Sequence, residues 1–307
     1  LIFASIEAAL LAQGNENGAK SKKCSRREAC WVRLPSPLGR EEHMPDVFLC
    51  EIIENKVLTD AVYSVTVASQ ELAHESVAGQ FLHIKCGEAR ILRRPISICS
   101  VNESKVNFVF EVKGEGTRWL SLRKPGQKLD ILGPLGKGFS MPKGKLIIVG
   151  GGVGTPPMLF AAQSAENDVA AILGFRSADR VILVDEFKAI CKEVFITTDD
   201  GSVGIHGAVT KPLEQLLKSG EYKAVMSCGQ ILMQKAVAEI CEQYNVPCQV
   251  SLEERMGCGV GACLVCACAT KKDAGTIFES NDVSEDNIMM SRVCIDGPVF
   301  NSKEVVW

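Results

Sequence analysis

The sequence predicts an α+β chain of several domains: an antiparallel β-barrel, then an α/β domain with a parallel sheet, then a small C-terminal module rich in glycine and cysteine. Three observations carry this reading. From Val47 to about Met141 apolar and other residues alternate with a period of two, punctuated by Gly and Pro. From Lys145 the rhythm changes to strands alternating with helices, the pattern of a parallel sheet covered by helices. After Val250, four cysteines fall between Cys258 and Cys268 among several glycines. The resulting boundaries are 44–142 for the barrel, 143–252 for the α/β domain and 253–307 for the module. Residues 1–43 lack a sustained period and mix a short apolar stretch with Lys20, Lys22, Lys23, Arg26 and Arg27. Their composition predicts a disordered segment or a gene-model extension before Met44, with a partner-binding arm as the alternative.

Composition narrows the function classes. Of 307 residues, 46% are apolar and 23% charged, as in a globular chain, and the net charge is −3. With no basic block in the body of the chain, nucleic acid is not expected as a partner. The most apolar region, Leu146 to Ala162, is broken by Gly150, Gly151, Gly152, Gly154, Pro156 and Pro157, so no membrane span is expected. The stretch Leu1 to Leu11 carries Glu7 and lacks the basic start of a secretory leader. Fourteen cysteines that cluster rather than spread read as metal ligands in a reducing compartment, and the cytoplasm is the expected location.

In the barrel region, Tyr63, Val65 and Val67 alternate with Val62, Ser64 and Thr66, and Val106, Phe108, Phe110 and Val112 repeat the pattern. A short helix is expected to start near Thr117 and to include Trp119 and Leu120. In the α/β region, strands are predicted at Leu146–Val149, Ala170–Gly174 and Ala224–Ser227, and helices at Pro157–Ser164 and Ile231–Tyr244.

The strongest chemical signal is Cys258-x4-Cys263-x2-Cys266 followed at a distance by Cys294, the spacing of a plant-type [2Fe–2S] site. Two irons need four thiolates, and Gly257, Gly259 and Gly261 leave room for backbone N–H groups to turn toward the sulfurs. Zinc is the competing metal, but zinc ribbons pair two short knuckles, whereas here three ligands share one loop. Cys268 is a spare thiol whose simpler role is packing. Cys50, Cys86, Cys191, Cys241 and Cys248 sit in apolar patterns and are expected in the core.

Two further motifs suit phosphates. Arg94-Pro95-Ile96-Ser97 places an arginine able to grip a pyrophosphate and a hydroxyl able to reach a flavin or phosphate. Gly114-Glu115-Gly116-Thr117 opens the short helix with free N–H groups. Gly150 to Pro157 then forms a glycine-rich turn from strand to helix, as dinucleotide sites require. Cys228-Gly229 ends a later strand on the same sheet edge, which makes Cys228 a candidate nicotinamide-facing residue, with a buried structural thiol as the alternative. Arg176, at the end of the second strand, could meet a 2′-phosphate and would argue for NADP.

A flavin barrel followed by a nicotinamide domain resembles the ferredoxin–NADP reductase superfamily. The string Glu253 to Cys266, with Arg292 to Phe300, Leu92–Ser97, Gly133–Gly136 and Gly150–Pro157, is similar to the electron-transfer subunit of class 1B dihydroorotate dehydrogenase. The resemblance runs from about Pro45 to the C-terminus. It implies FAD held by Arg94, Pro95, Ile96, Ser97, Gly116 and Thr117, and NAD rather than NADP at Gly152, Gly154 and Cys228. It also implies a [2Fe–2S] cluster on Cys258, Cys263, Cys266 and Cys294. It further implies a separate FMN-containing catalytic subunit that oxidises dihydroorotate in pyrimidine biosynthesis, in a heterotetramer with two copies of each chain. The long insert Lys271 to Asp286 is expected as a surface loop. The nearest rival is the small subunit of a ferredoxin:NAD(P) oxidoreductase, some of which use a carboxylate ligand where this chain offers only cysteine. A free-standing oxygenase reductase would need a larger ferredoxin domain, and a non-enzymatic redox regulator would leave the flavin and nucleotide loops unexplained.

Overall fold

The computed structural model describes residues 46–88, 91–271 and 287–307. The expectations for residues 1–43 and for the insert beyond Lys271 fall outside the described residues. Six antiparallel strands form a closed barrel: β1 (Asp46–Val57), β2 (Val62–Ala68), β3 (Phe81–Ile84), β4 (Arg94–Asn102), β5 (Lys105–Glu111) and β6 (Lys128–Leu135). Their spatial order is β1-β2-β5-β4-β3-β6, with β6 pairing back to β1. Period-two alternation turns Ile52, Val65, Val67, Leu82, Ile84, Ile98, Phe108 and Ile131 inward, where each is fully buried. Helix α1 (Gln70–Glu75) follows β2, capped by the Ser69 hydroxyl, which accepts from the Leu72 N–H at 3.2 Å. Helix α2 (Glu115–Ser121) starts two residues before the expected Thr117: Gly114 is the N-cap, and Thr117, third in the first turn, closes the cap by accepting from the Gly114 N–H.

The second layer is a seven-stranded sheet. Its parallel strands are β7 (Lys145–Gly151), β8 (Val169–Phe175), β9 (Glu193–Thr198), β10 (Ile205–His206), β11 (Tyr222–Cys228) and β12 (Cys248–Ser251). Helices α3 (Thr155–Gln163), α4 (Val184–Ile190), α5 (Thr210–Leu217) and α6 (Ile231–Gln243) connect them. The order β10-β9-β8-β7-β11-β12 runs outward from β7 in both directions, so the topological switch point lies between β7 and β11. Ligands of such sheets bind at the carboxyl ends of the strands flanking that point. Helix α3 is buried from Thr155 through Ala162, with no polar face, because it is sandwiched between the sheet and barrel strand β4.

The C-terminal segment contributes a hairpin, β13 (Ala267–Lys271) with β14 (Ile288–Arg292), and then β15 (Val299–Asn301). Strand β15 pairs antiparallel with β12, Val250 opposite Phe300, and so extends the nucleotide-domain sheet. Its three residues are too few to carry a readable period.

Candidate functional site

The four cysteines of the loop motif come together as two pairs. Cys258 is half-buried and Cys263 exposed, and the Cys258 N–H points to the Cys263 sulfur at 3.3 Å. Cys266 and Cys294 are 2% and 0% exposed, with their thiols in hydrogen-bond contact. Two more backbone donors face sulfur: Val260 N–H to Cys258 at 3.4 Å and Gly261 N–H to Cys294 at 3.2 Å. Burial raises the Cys258 thiol, but the hydrogen bonds from Val260, Cys263 and Ala262 outweigh it and bring the group down to about 7. Burial, followed by the neighbouring Cys266, pushes Cys294 up to about 12. Among the described residues, no three Cys, His, Asp or Glu side chains converge on one metal-ion position. Two thiol pairs with N–H donors on their sulfurs suit a binuclear cluster better than a single tetrahedral ion.

Two features of the loop were not legible beforehand. Leu264, between Cys263 and Cys266, holds a left-handed backbone at φ 58°, which is uncommon for a branched residue and marks local strain. Arg292 clamps the loop: its Nε donates to Asp296 Oδ2 at 3.1 Å and its Nη1 to the Gly261 carbonyl at 3.4 Å. Cys268 lies on β13, half-buried against the core of the sheet, and burial pushes its thiol up to about 11.

The arginine–serine motif forms the start of β4, where Arg94, Pro95, Ile96 and Ser97 pair with Ile84, His83, Leu82 and Phe81 of β3. The two adjacent arginines divide their work. Arg93 is structural, pairing with Asp130 Oδ1 at 2.7 Å and donating to the carbonyls of His83 and Asp130 at 3.3 and 3.1 Å. Arg94 donates to the Leu92 carbonyl at 2.6 Å and lays its guanidinium across Gly116, where a Cβ would stand 2.6 Å from Nε. A cation packed on the positive end of a helix opposes the helix dipole, and an anion placed between them relieves the conflict. The cradle therefore fits a pyrophosphate. Ile96 turns into the barrel, leaving Pro95 and Ser97 half-exposed. The Thr117 hydroxyl is spent on its own helix, accepting from the Lys113 and Gly114 N–H groups at 3.0 and 3.2 Å. Only its backbone remains for a ligand.

At the switch point, Cys228 of β11 lies opposite Gly150 of β7. Gly152 has φ +54° with no atom within 4 Å of a hypothetical Cβ, whereas a Cβ on Gly154 would lie 2.6 Å from both the Cys228 carbonyl carbon and Gly229 N. The loop can thus approach a dinucleotide closely only as glycine. The Cys228 side chain is 1% exposed, and burial, with the Glu253 charge second, pushes it up to about 12. It packs inward as a neutral thiol, while its backbone borders the glycine turn. Gln234, buried on α6, ties the turn to the sheet through the Gly229 and Ser251 carbonyls at 2.8 and 3.0 Å. Glu253 lies at this edge; crowding by protein atoms raises its carboxyl, with Lys113 pulling the other way. Arg176 follows β8 directly and is exposed.

His83 was also missed. It is 1% exposed, and its ring lies against the cluster loop: a Cβ on Gly259 would be 2.7 Å from Nδ1. Burial, then the Arg93 charge, lowers the ring to about 4, so it is neutral at pH 7. One signal was available, a single imidazole in the apolar run Phe81-Leu82-His83-Ile84.

A barrel with an arginine-backed phosphate cradle, a nucleotide sheet and a four-thiol module together define an iron–sulfur flavoprotein reductase of the ferredoxin–NADP reductase fold. Residues 253–306 match the family of the iron-sulfur cluster binding domain of dihydroorotate dehydrogenase B. The electron transfer subunit of dihydroorotate dehydrogenase B (NAD(+)) from Caldanaerobacter subterraneus subsp. tengcongensis is 40% identical over 83% of this chain and 97% of its own. The corresponding subunit from Desulforamulus reducens is 36% identical over 86% of this chain and its whole length. Among solved structures, an NADH-dependent reduced ferredoxin-NADP oxidoreductase superposes with a TM-score of 0.72 at 30% identity, over 85% of this chain and 90% of that one. The chain belongs to the family of electron transfer subunits of dihydroorotate dehydrogenase B, with FAD, a [2Fe–2S] cluster and NAD as its cofactors.

Proposed function

We propose that this chain connects an FMN-containing dihydroorotate dehydrogenase catalytic subunit to NAD⁺ in pyrimidine biosynthesis, in a cytoplasmic heterotetramer with two copies of each subunit. When bound, the flavin exchanges a hydride with nicotinamide and single electrons with the cluster, the conversion between two-electron and one-electron carriers that neither neighbour can perform. The chain's own residues do the holding. Arg94 grips the FAD pyrophosphate over Gly116, with the backbone at Thr117 beside it, and Pro95, Ile96 and Ser97 present the strand to the flavin. Gly152 and Gly154 let the NAD backbone approach, and Cys228 closes the floor of that crevice. Cys258, Cys263, Cys266 and Cys294 hold the cluster, with Val260 and Gly261 N–H groups directed at the sulfurs.

The observation that carries this reading is contiguity. The cluster loop rests on β3 at His83, β3 is hydrogen-bonded to the flavin strand β4, and β4 packs on α3, which springs from the glycine turn. Three sites therefore lie along one run of touching elements, and no helix among the described residues is long and apolar enough to cross a membrane. The test is anaerobic, dihydroorotate-dependent NAD⁺ reduction by the reconstituted chain with and without the FMN-containing subunit. Activity that needs both chains supports the assignment. A fully loaded chain whose flavin is reduced by NADH but which is inactive with that partner refutes it. The likeness to the ferredoxin-NADP oxidoreductase makes ferredoxin the acceptor to try in the same assay.

A further inference from the structure

We propose that His83 is a positioning residue that joins the flavin strand to the cluster loop, its buried imidazole setting the seat of Gly259 and through it the N–H groups aimed at the cluster sulfurs. This inference rests on the cofactor assignments above.

The site of His83 is unusual on energetic grounds. Its neighbours on β3, Phe81, Leu82 and Ile84, are apolar and buried at 3%, 0% and 0% exposure. The imidazole is buried as fully, yet neither Nδ1 nor Nε2 meets a hydrogen-bond partner among the described residues. The Cys258 and Arg93 carbonyls lie near enough to favour the ring's charged form without reaching hydrogen-bond geometry. A buried polar group left unpaired lowers stability, so on stability alone a leucine would suit this position better. What the imidazole touches supplies the reason for its presence.

On one side, His83 sits opposite Pro95 of the flavin strand, and its carbonyl is fixed by Arg93 at 3.3 Å. On the other, its ring fills the space beside Gly259. A Cβ there would lie 2.7 Å from Nδ1, 3.2 Å from Cε1 and 3.2 Å from Leu135 Cδ1. Gly259 has φ +75°, a left-handed conformation that reverses the chain between Cys258 and Val260. The next two residues supply the N–H groups to Cys258 and Cys294 at 3.4 and 3.2 Å. A shift of the ring moves Gly259, and a shift of Gly259 re-aims both donors. Hydrogen bonds to cluster sulfurs are a principal determinant of potential. Strand and loop are thus in contact through one side chain, far apart in sequence.

The test uses the full chain loaded with FAD and cluster, and three variants: His83→Leu, His83→Gln and Gly259→Ala. A fourth, Ile84→Val, is the control for a buried β3 substitution that does not touch the loop. Flavin content and NADH-dependent flavin reduction report on the barrel and nucleotide sites. The EPR spectrum of the reduced cluster and its midpoint potential, from a redox titration, report on the loop. The expected result is unchanged flavin behaviour with an altered EPR spectrum in His83→Leu and Gly259→Ala. The flavin–cluster electron distribution should shift at least tenfold, which is 59 mV for a one-electron couple. His83→Gln should lie between these and the parent, and Ile84→Val should match the parent. Full flavin with loss of the cluster in His83→Leu counts with the expected result. Should His83→Leu lose its flavin as well, Gly259→Ala and His83→Gln decide, because they probe the same contact. Cluster spectra and potentials indistinguishable from the parent in those two variants would overturn the proposal. A parent chain unable to hold FAD or the cluster would instead refute the cofactor assignments themselves.

Discussion

Gly116→Ala separates the phosphate cradle from the fold that carries it. Gly116 is buried in the first turn of α2, and its new Cβ would meet Arg94 at 2.6 Å from Nε, 2.9 Å from Cζ and 3.0 Å from Nη2. Restoring a contact of about 3.5 Å requires the guanidinium to retreat by about 0.9 Å. The obstacle is the end of a flexible side chain, so the barrel and α2 should survive. The grip on the pyrophosphate should not. A hydrogen bond to a charged group contributes about 1.5–3 kcal/mol, so FAD affinity should fall roughly 10- to 150-fold.

The assay is FAD titration of the apoflavoprotein, followed by quenching of flavin fluorescence. Gly114→Ala, where a Cβ meets nothing within 4 Å, is the control and should bind within about threefold of the parent. The route through Arg94 is tested by a double-mutant cycle: in an Arg94→Ala background, Gly116→Ala should add nothing further. Parental affinity in Gly116→Ala, or a loss that simply adds to that of Arg94→Ala, would refute the reasoning.

Three other outcomes follow from the same geometry. Gly154→Ala drives a Cβ into the backbone at Cys228 and Gly229, so NADH binding should weaken more than tenfold while the cluster spectrum is unchanged; Gly152→Ala, with only its positive φ to resist it, should lose about 1–2 kcal/mol of stability. Arg292→Leu removes a guanidinium from beside Cys266 and Cys294 and should lower the cluster potential by the order of 1 kcal/mol per electron, as read by redox titration, with Arg292→Lys recovering part of it. The Cys228 thiol, pushed up to about 12, stays protonated at every working pH and is sealed from solvent; iodoacetamide at pH 8 should leave it unmodified in the native protein, as mass spectrometry would show.

The parts most legible in the sequence were those with a local code. Barrel strands announce themselves because one face is buried and the other is not, so Val65 and Val67 mark β2 unaided. The cysteine motif is legible because its spacing, Cys258-x4-Cys263-x2-Cys266 with a distant Cys294, is itself the local signal of a [2Fe–2S] site. Helix α3 lies at the opposite extreme: packed on both sides, it has no polar stripe, and the glycine turn before it was the usable signal. Helix α5 was not singled out although Leu213 and Leu217, one turn apart, are both buried. The contacts that tune the site were hidden because they join distant segments. His83 meets Gly259, Glu253 lies beside Cys228, and Gln234 reaches Ser251. The role of Thr117 was displaced for a local reason, since a hydroxyl that caps its own helix has little left to offer a cofactor.

Strand β15 changes how the cluster site must be understood mechanically. A cysteine loop at the end of a chain invites the picture of a tethered bead, free to swing toward its redox partners. Here the segment returns to the sheet through β15, and its path is held at further points. Lys137 N–H donates to the Gly297 carbonyl at 2.6 Å and Leu252 N–H to the Pro298 carbonyl at 2.9 Å. Val293 N–H meets the Cys266 carbonyl at 3.0 Å, which ties the buried thiol pair into one unit. The Gln249 amide exchanges two hydrogen bonds with the Ser140 backbone, at 2.9 and 2.7 Å, joining the chain after β6 to β12. The cluster loop is consequently mounted on the nucleotide sheet through β15 and on the barrel through His83. Spacing between the sites is then a property of secondary structure, and substitutions in the mount should alter potentials and coupling before they alter any opening or closing motion.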